Sequence, residues 1–325
     1  MRVFSGIRPS GDLHIGNYFG AIKQWVELQK TLDCVFSIVD LHAITTPYQS
    51  ENLQKNILEL TIALLAAGLD PEKCILFVQS QIKEHSELAW FLGTITPLGE
   101  LKRMTQFKEK AKKHPEYVNA GLLNYPLLMA ADILLYKADL VPVGIDQKQH
   151  LELTREIARK FNKTFGQVFK IPKVLLSEKG QKIMSLQNPK KKMSKTDDPA
   201  GCIGIFDTSE EIKEKIMSAV TDSGKVIKYD LKRKLGISNL LSIYSLASGK
   251  SIKTLERDFK GKGYEEFKKS LTSLLINFLE NFRKKRKEFL TREVYIRELL
   301  NRGKNRAQTL AQSTMQEIKT KMGLV

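Results

Sequence analysis

Four short apolar runs, each followed by a stretch of helical period, restrict the fold of this chain more than any other feature. Val3 and Phe4, Cys34 to Val39, Ile75 to Val78 and Leu140 to Gly144 are nearly continuous in apolar residues. That is the style of strands in a parallel sheet covered on both faces, since an antiparallel sheet with one wet face would alternate. Between them, Tyr18 to Lys30 sets Phe19, Ile22, Trp25, Val26 and Leu28 on one stripe. Glu51 to Ala67 repeats the pattern with Leu53, Ile57, Leu60 and Leu64, and Gly68 with Asp70-Pro71 stops it. Glu84 to Leu92, Ala120 to Tyr136 and Asp146 to Asn162 read as further helices, and the basic stretch Lys102 to Lys113 as a helix end or a mobile loop. Strands alternating with helices predict an α/β fold, a Rossmann-like doubly wound parallel sheet whose ligands lie beyond the carboxyl ends of its strands. From Asp207 onward no convincing strand is found, and 207–220, 237–247, 264–289 and 293–322 are helical by period. The chain is therefore expected to divide into residues 1–206, the sheet domain, and 207–325, an all-helical domain.

Charge narrows the partners. The chain carries 53 Lys and Arg against 36 Asp and Glu, a formal net charge of +17. Its last quarter, from Ser251, holds 18 bases and 9 acids, so about half of the excess sits there. Such asymmetry points to a polyanion, most often nucleic acid. Cys34, Cys74 and Cys202 are far apart and form no C-x-x-C, which argues against a disulfide framework or a zinc site and fits a reducing cytosol. No run approaches the roughly 18 apolar residues of a membrane span, and the first residues lack a signal-peptide layout.

Two loops carry chemistry. Gly6 to Asn17 follows the first strand and enters the first helix, so backbone N–H groups and the positive end of a helix converge where His14 and Asn17 stand three apart. Gly6, Gly11 and Gly16 allow close approach of a phosphate, although their spacing is not that of the dinucleotide fingerprint. Gln181 to Lys195 contains Lys182, Lys190, Lys191, Lys192 and Lys195 with no acid, a loop of +5. Alone it would read as a solvated charge run.

Together the two loops resemble the signature motifs of the class I aminoacyl-tRNA synthetases, as His14-Ile15-Gly16-Asn17 and Lys192-Met193-Ser194-Lys195-Thr196. The chain is most similar to their bacterial tryptophan-specific branch. The supporting stretches, in family order, are Phe4 to Gly11, Met104 to Lys110, Leu127 to Tyr136 and Asp146 to Arg155. Asn17 replaces the second histidine, Thr196 the last serine, and Ile145 a glutamate expected before Asp146.

The resemblance implies activation of L-tryptophan by ATP, with Mg²⁺ carried by the nucleotide and no protein-bound metal, then transfer to tRNA(Trp). It also implies a cytoplasmic homodimer whose helical domain reads the anticodon. His14, Asn17, Lys192 and Lys195 would be catalytic. Arg8, Pro9, Ser10, Gly16, Asn17, Lys110, Gly144, Ile145, Asp146, Gln147, Ile183, Lys192, Met193, Ser194, Lys195 and Thr196 would contact ATP. Asp132 would accept the indole N–H, walled by Phe4, Met129, Val141 and Val143, with His42 and Tyr125 lining the same pocket. His85, His114 and His150 receive no role and are read as structural or surface residues.

The chemistry agrees. A carboxylate that attacks the α-phosphorus of ATP is already ionised at pH 7, so the reaction needs alignment of two anions and stabilisation of phosphate charge, not a general base. A tyrosine-specific enzyme of the same class is the nearest rival. A non-catalytic RNA-binding paralogue and a small-metabolite nucleotidyltransferase are the others. The basic cluster Arg283 to Lys287 is expected to meet the tRNA backbone.

Overall fold

The computed structural model describes residues 1–113, 115–144, 147–176, 182–195, 198–224 and 226–325. Five parallel strands, β1 (Arg2–Ile7), β2 (Asp33–Ile38), β3 (Cys74–Val78), β4 (Leu140–Val143) and β5 (Lys173–Leu176), form a sheet of order β3-β2-β1-β4-β5. The doubly wound sheet expected from the apolar runs is present. Side chains alternate between its faces. Val3, Cys34, Phe36, Ile38, Cys74, Leu76 and Val78 enter one core and Phe4, Val35, Ile75 and Phe77 the other.

After β1 the chain is helical through α1 (Ile15–Asn17), a π-helical turn at Tyr18–Ile22 and α2 (Lys23–Leu28). The helix thus begins three residues earlier than its apolar stripe indicates. α3 (Asp40–Ala43) and α4 (Ser50–Ala66) join β2 to β3. α5 (Glu84–Ile95), α6 (Leu98–Arg103), α7 (Thr105–Lys113) and α8 (Ala120–Leu135) lie between β3 and β4, and α9 (Lys148–Phe165) leads to β5. The basic stretch 102–113 is therefore the end of one helix and the whole of another. Met104, only 4% exposed, breaks them with an extended ψ of 123°. No residue of α7 is fully buried and only Phe107 packs against a core, which is why its sequence is dominated by charge. β5 has no counterpart among the strands expected above: it is four residues long and becomes a strand by pairing with β4.

The helical part contains α10 (Ser209–Met217), α11 (Leu235–Ser248), α12 (Ile252–Asp258), α13 (Tyr264–Leu290) and α14 (Glu293–Met322). A capping box, Thr208 with Glu211, starts α10. α13 packs on α4, and on the π turn its Phe278 stacks with Phe19 while its Phe282 meets Tyr18 edge-on, at centroid distances of 5.5 and 5.1 Å. α14 returns to the sheet and covers edge strand β3. A Cβ built on Gly303 would lie 1.8 Å from the Leu76 carbonyl oxygen, so only glycine permits the contact. Arg306 donates to the carbonyls of Pro71 and Cys74 at 3.2 and 3.1 Å. An edge closed this way offers no unpaired strand to other chains.

Two of the five bases expected on the tRNA backbone are occupied inside the protein. Arg286 bonds Glu59 of α4 at 3.0 Å and lies 4.8 Å from the Phe206 ring centroid. Arg283 donates to the carbonyls of Asp207 and Ile276. Their planar forks tether α13, Arg286 to α4 and Arg283 to the segment that precedes α10. Lys284 pairs with Glu280, one turn earlier on α13.

Candidate active site

The sheet order reverses between β1 and β4, and their carboxyl ends open a crevice at that switch point. A cavity of about 460 Å³ lies there. β1 supplies Phe4; β4 supplies Val141 and Val143, which share a face at period two. α8, started by the Asn119 side chain accepting Leu122 N–H at 2.9 Å, presents Tyr125, Met129 and Asp132 at helical spacing. His42 closes the set from α3. All seven residues named for the amino acid line this one cavity.

Asp132 is 2% exposed, and it is not isolated. One carboxylate oxygen, Oδ1, accepts from His85 Nδ1 and Gln79 Nε2, both at 2.6 Å. The other, Oδ2, meets His42 Nε2 at 2.8 Å. Burial opposes the charge, but the hydrogen bonds from His42 and His85 outweigh it and hold the carboxyl well below the usual range. A carboxylate has about four lone-pair sites. Three are used, and the one remaining is on Oδ2, beside the cavity wall formed by His42.

Gln79 and His85 are thus functional candidates that the sequence reading missed. His85 is fully buried, as a structural histidine would be, yet it orients Asp132 and bonds the Tyr136 hydroxyl at 2.9 Å through its second nitrogen. A signal existed for Gln79: it follows β3 directly, where a doubly wound sheet presents polar groups. His150, also fully buried, bonds the Tyr125 hydroxyl at 2.6 Å. His114 lies outside the described residues.

Above the apolar floor the site turns cationic. Arg8 and Lys110 line the same cavity, and the Lys110 ammonium sits 4.5 Å from the Tyr125 ring centroid. Burial and then the Arg8 charge push Lys110 down to about 8, and burial lowers Arg8 as well. Two neighbouring cations on which no acid is among the charges acting are suited to take an anion. Asn17, Gly144, Gln147 and Lys192 also line this cavity. Ile145 and Asp146 lie outside the described residues.

His14 caps α1 with extended backbone, and its N–H donates to Asn17 Oδ1 at 3.1 Å. A Cβ on Gly16 would come within 2.8 Å of the His14 ring, so this glycine makes room for the imidazole. Burial first, then Lys192 and Lys195, push His14 down to about 4, so the ring is neutral at pH 7 and can meet a ligand by hydrogen bonding rather than by charge. The loop is held by Ile15 N–H to Ile203 O and Ile205 N–H to Leu13 O, both 3.0 Å.

The lysine-rich loop folds on itself through Met193 N–H to Ile183 O at 3.0 Å and Ser185 N–H to Lys191 O at 2.9 Å. Ile183 and Met193, 3% and 2% exposed, put their side chains into the core, leaving only backbone atoms to meet a nucleotide. Asn239 of α11 grips the loop from the helical part, accepting from Met184 N–H at 2.9 Å and donating to its carbonyl at 2.8 Å. Ser194 and Lys195 line a second cavity of about 810 Å³ with Pro9, Ser10 and His14. Arg8, Asn17 and Lys110 line both cavities, so the two adjoin. Thr196 lies outside the described residues.

Residues 1–280 match the family model of class I tRNA synthetases (W and Y). Over the whole chain and 98% of the relative's length, the sequence is 52% identical to the tryptophan–tRNA ligase of Caldanaerobacter subterraneus subsp. tengcongensis. The fold superposes on the crystal structure of tryptophanyl-tRNA synthetase from Mycoplasma pneumoniae with a TM-score of 0.91, at 38% identity, covering 100% of this chain and 98% of that one. A tryptophanyl-tRNA synthetase from Campylobacter jejuni, complexed with ADP and tryptophan, superposes with a TM-score of 0.85 at 38% identity, over 99% of this chain and 100% of that one.

Proposed function

Belonging to the class I tRNA synthetases (W and Y), this chain acts as a tryptophan–tRNA ligase, and we propose that the two adjoining cavities are where it forms and transfers the aminoacyl group. The observation that carries the reading is Asp132: a buried charge with three fixed donors and one lone pair left toward an apolar slot. That lone pair takes the indole N–H, while Phe4, Met129, Val141 and Val143 enclose the ring. A buried acceptor rejects an amino acid that leaves it unpaired.

The substrate carboxylate then lies toward Arg8 and Lys110, in reach of the α-phosphorus of ATP. Attack by a carboxylate oxygen forms the mixed anhydride and releases pyrophosphate. Neutral His14, Asn17 and the α1 N-terminus bind phosphate oxygens, and Lys192 and Lys195 take up the charge that grows on the leaving group. Gly144 and Gln147 line the cleft where the ribose and adenine rest. Mg²⁺ enters as part of the ATP substrate. A ribose hydroxyl at the end of tRNA(Trp) then attacks the carbonyl carbon and expels AMP.

In the same reading residues 1–206 carry the chemistry and 207–325 hold the anticodon arm through their basic surface, in the cytoplasm. Two copies pair, a proposal supported by Trp90, 74% exposed on α5, and Leu98, 54% exposed; sedimentation of the wild type against Trp90→Glu tests it. For the activity, exchange of labelled pyrophosphate into ATP should depend on tryptophan alone among the twenty amino acids. Dependence on tyrosine, or on none, overturns the assignment.

A further inference from the structure

The ≈ 810 Å³ cavity is lined by four cations, Arg8, Lys110, Lys113 and Lys195, and by a single carboxylate among the described residues, Asp12. A lone acid in a site shaped for polyphosphate works against its ligand unless it serves another purpose. Its contact supplies one: the Asp12 carboxylate is ion-paired with the Lys195 ammonium, 183 residues away in sequence. The pair joins the two signature loops across the cavity. Gly11, at φ +110°, makes the turn that aims Asp12 at the other loop, a conformation that L side chains rarely adopt.

We propose that Asp12 stands in for a phosphate: it holds Lys195 while the cleft is empty, yields it to the polyphosphate of ATP, and takes it back as pyrophosphate leaves. The proposal rests on the ligase reading of these cavities. One ammonium cannot fully satisfy a carboxylate and a phosphate pointing from opposite sides, so nucleotide binding is an exchange of anions at Lys195. The exchange is feasible because the pair is partly solvated, with Lys195 and Asp12 side chains 39% and 55% exposed. Such a pair is weak enough to break and strong enough to set the resting position of the loop tip. Upstream of Lys195 the loop is already anchored, by Met193 in the core and Asn239 on Met184, so only the tip has to move.

The test is a calorimetric titration of the full-length protein with MgATP, using wild type, Asp12→Asn, Lys195→Ala and the double variant. Asp12→Asn keeps the shape of a half-exposed side chain and removes its charge. It should tighten MgATP binding by about two- to fivefold, the range for releasing an exposed ion pair. In the Lys195→Ala background the same substitution should change nothing, since the partner is gone. Unchanged or weaker binding by Asp12→Asn overturns the proposal, and so does an equal tightening in both backgrounds. Weaker binding would show the carboxylate to be helping the nucleotide. A wild type with no tryptophan-dependent exchange would sink the ligase reading itself, whereas normal exchange with an unaltered Asp12→Asn titration sinks only the placeholder.

Discussion

Asp132→Asn separates recognition from folding better than truncation does. Removing the whole side chain would leave His85, Gln79 and His42 facing an empty, buried space, at about 1–3 kcal/mol for each orphaned group. That loss would unfold the site and say nothing about the substrate. Asparagine keeps the volume. Its oxygen takes the place of Oδ1 and accepts from His85 and Gln79 as before, because two donors there leave no room for an amide NH₂. The NH₂ then occupies the place of Oδ2, where His42 can accept from it by changing tautomer. The protein is satisfied, but the lone pair toward the cavity has become a donor facing the indole N–H. The loss is that of one hydrogen bond to a charged group, about 1.5–3 kcal/mol, a weakening of roughly 10- to 150-fold. Pyrophosphate exchange measured with tryptophan and with its benzothiophene analogue, which carries sulfur in place of N–H, isolates the term. Wild type should prefer tryptophan by about that factor, and Asp132→Asn should lose the preference while its KM for ATP stays put. A variant that folds and keeps the wild-type preference would refute the role of Asp132.

Three further outcomes follow from other parts of the molecule. Lys110 is held near 8 in the empty cleft, and bound polyphosphate favours its charged form, so ATP binding takes up a proton once the pH exceeds that value. The KM for ATP should be level below about pH 7.5 and climb above pH 8, and Lys110→Met should flatten the curve; a level wild-type profile to pH 9.5 refutes the assignment. Asn239→Ala frees both backbone groups of Met184, so the KM for ATP should rise while tryptophan binding, measured by titration without ATP, holds; an unaltered KM would mean the clamp does not set the loop. Gly303→Ala drives a methyl group into the Leu76 carbonyl and should cost roughly 1–3 kcal/mol of stability in a urea melt, the usual scale of overpacking; an unshifted midpoint would show that α14 can back away from the edge strand freely.

Much of the fold was legible because it is written locally. Short apolar runs alternating with helical stripes read as strands of a sheet covered on both faces and lead to a doubly wound topology, whose crevice the strand order then places between β1 and β4. The two loops were legible for a similar reason: His14, Gly16 and Asn17 act within one turn of helix, and the lysines without acids cannot be satisfied by their own neighbours. β5 was not legible, since its three apolar residues after Lys173 have no helical stretch behind them to mark a strand and owe their conformation to pairing with β4. Nor was the placement of α14: nothing in the pattern around Gly303 says that a missing Cβ is needed against a strand more than two hundred residues earlier.

The charge on Asp132 marks the boundary between the two kinds of information. From sequence, a carboxylate in an apolar helix can only be said to need partners. Which ones it finds depends on side chains 47, 53 and 90 positions away, and those separations are bridged only when α3, the end of β3, α5 and α8 converge at the carboxyl end of the sheet. The same holds for Arg283 and Arg286, indistinguishable in sequence from their solvated neighbours until α4 and the Asp207 backbone come within reach. Periodicity is a property of adjacent residues and survives in the one-dimensional chain. The partner of a buried charge is a property of the packed interior, where low polarity makes each distant donor decisive, and tertiary structure alone determines it.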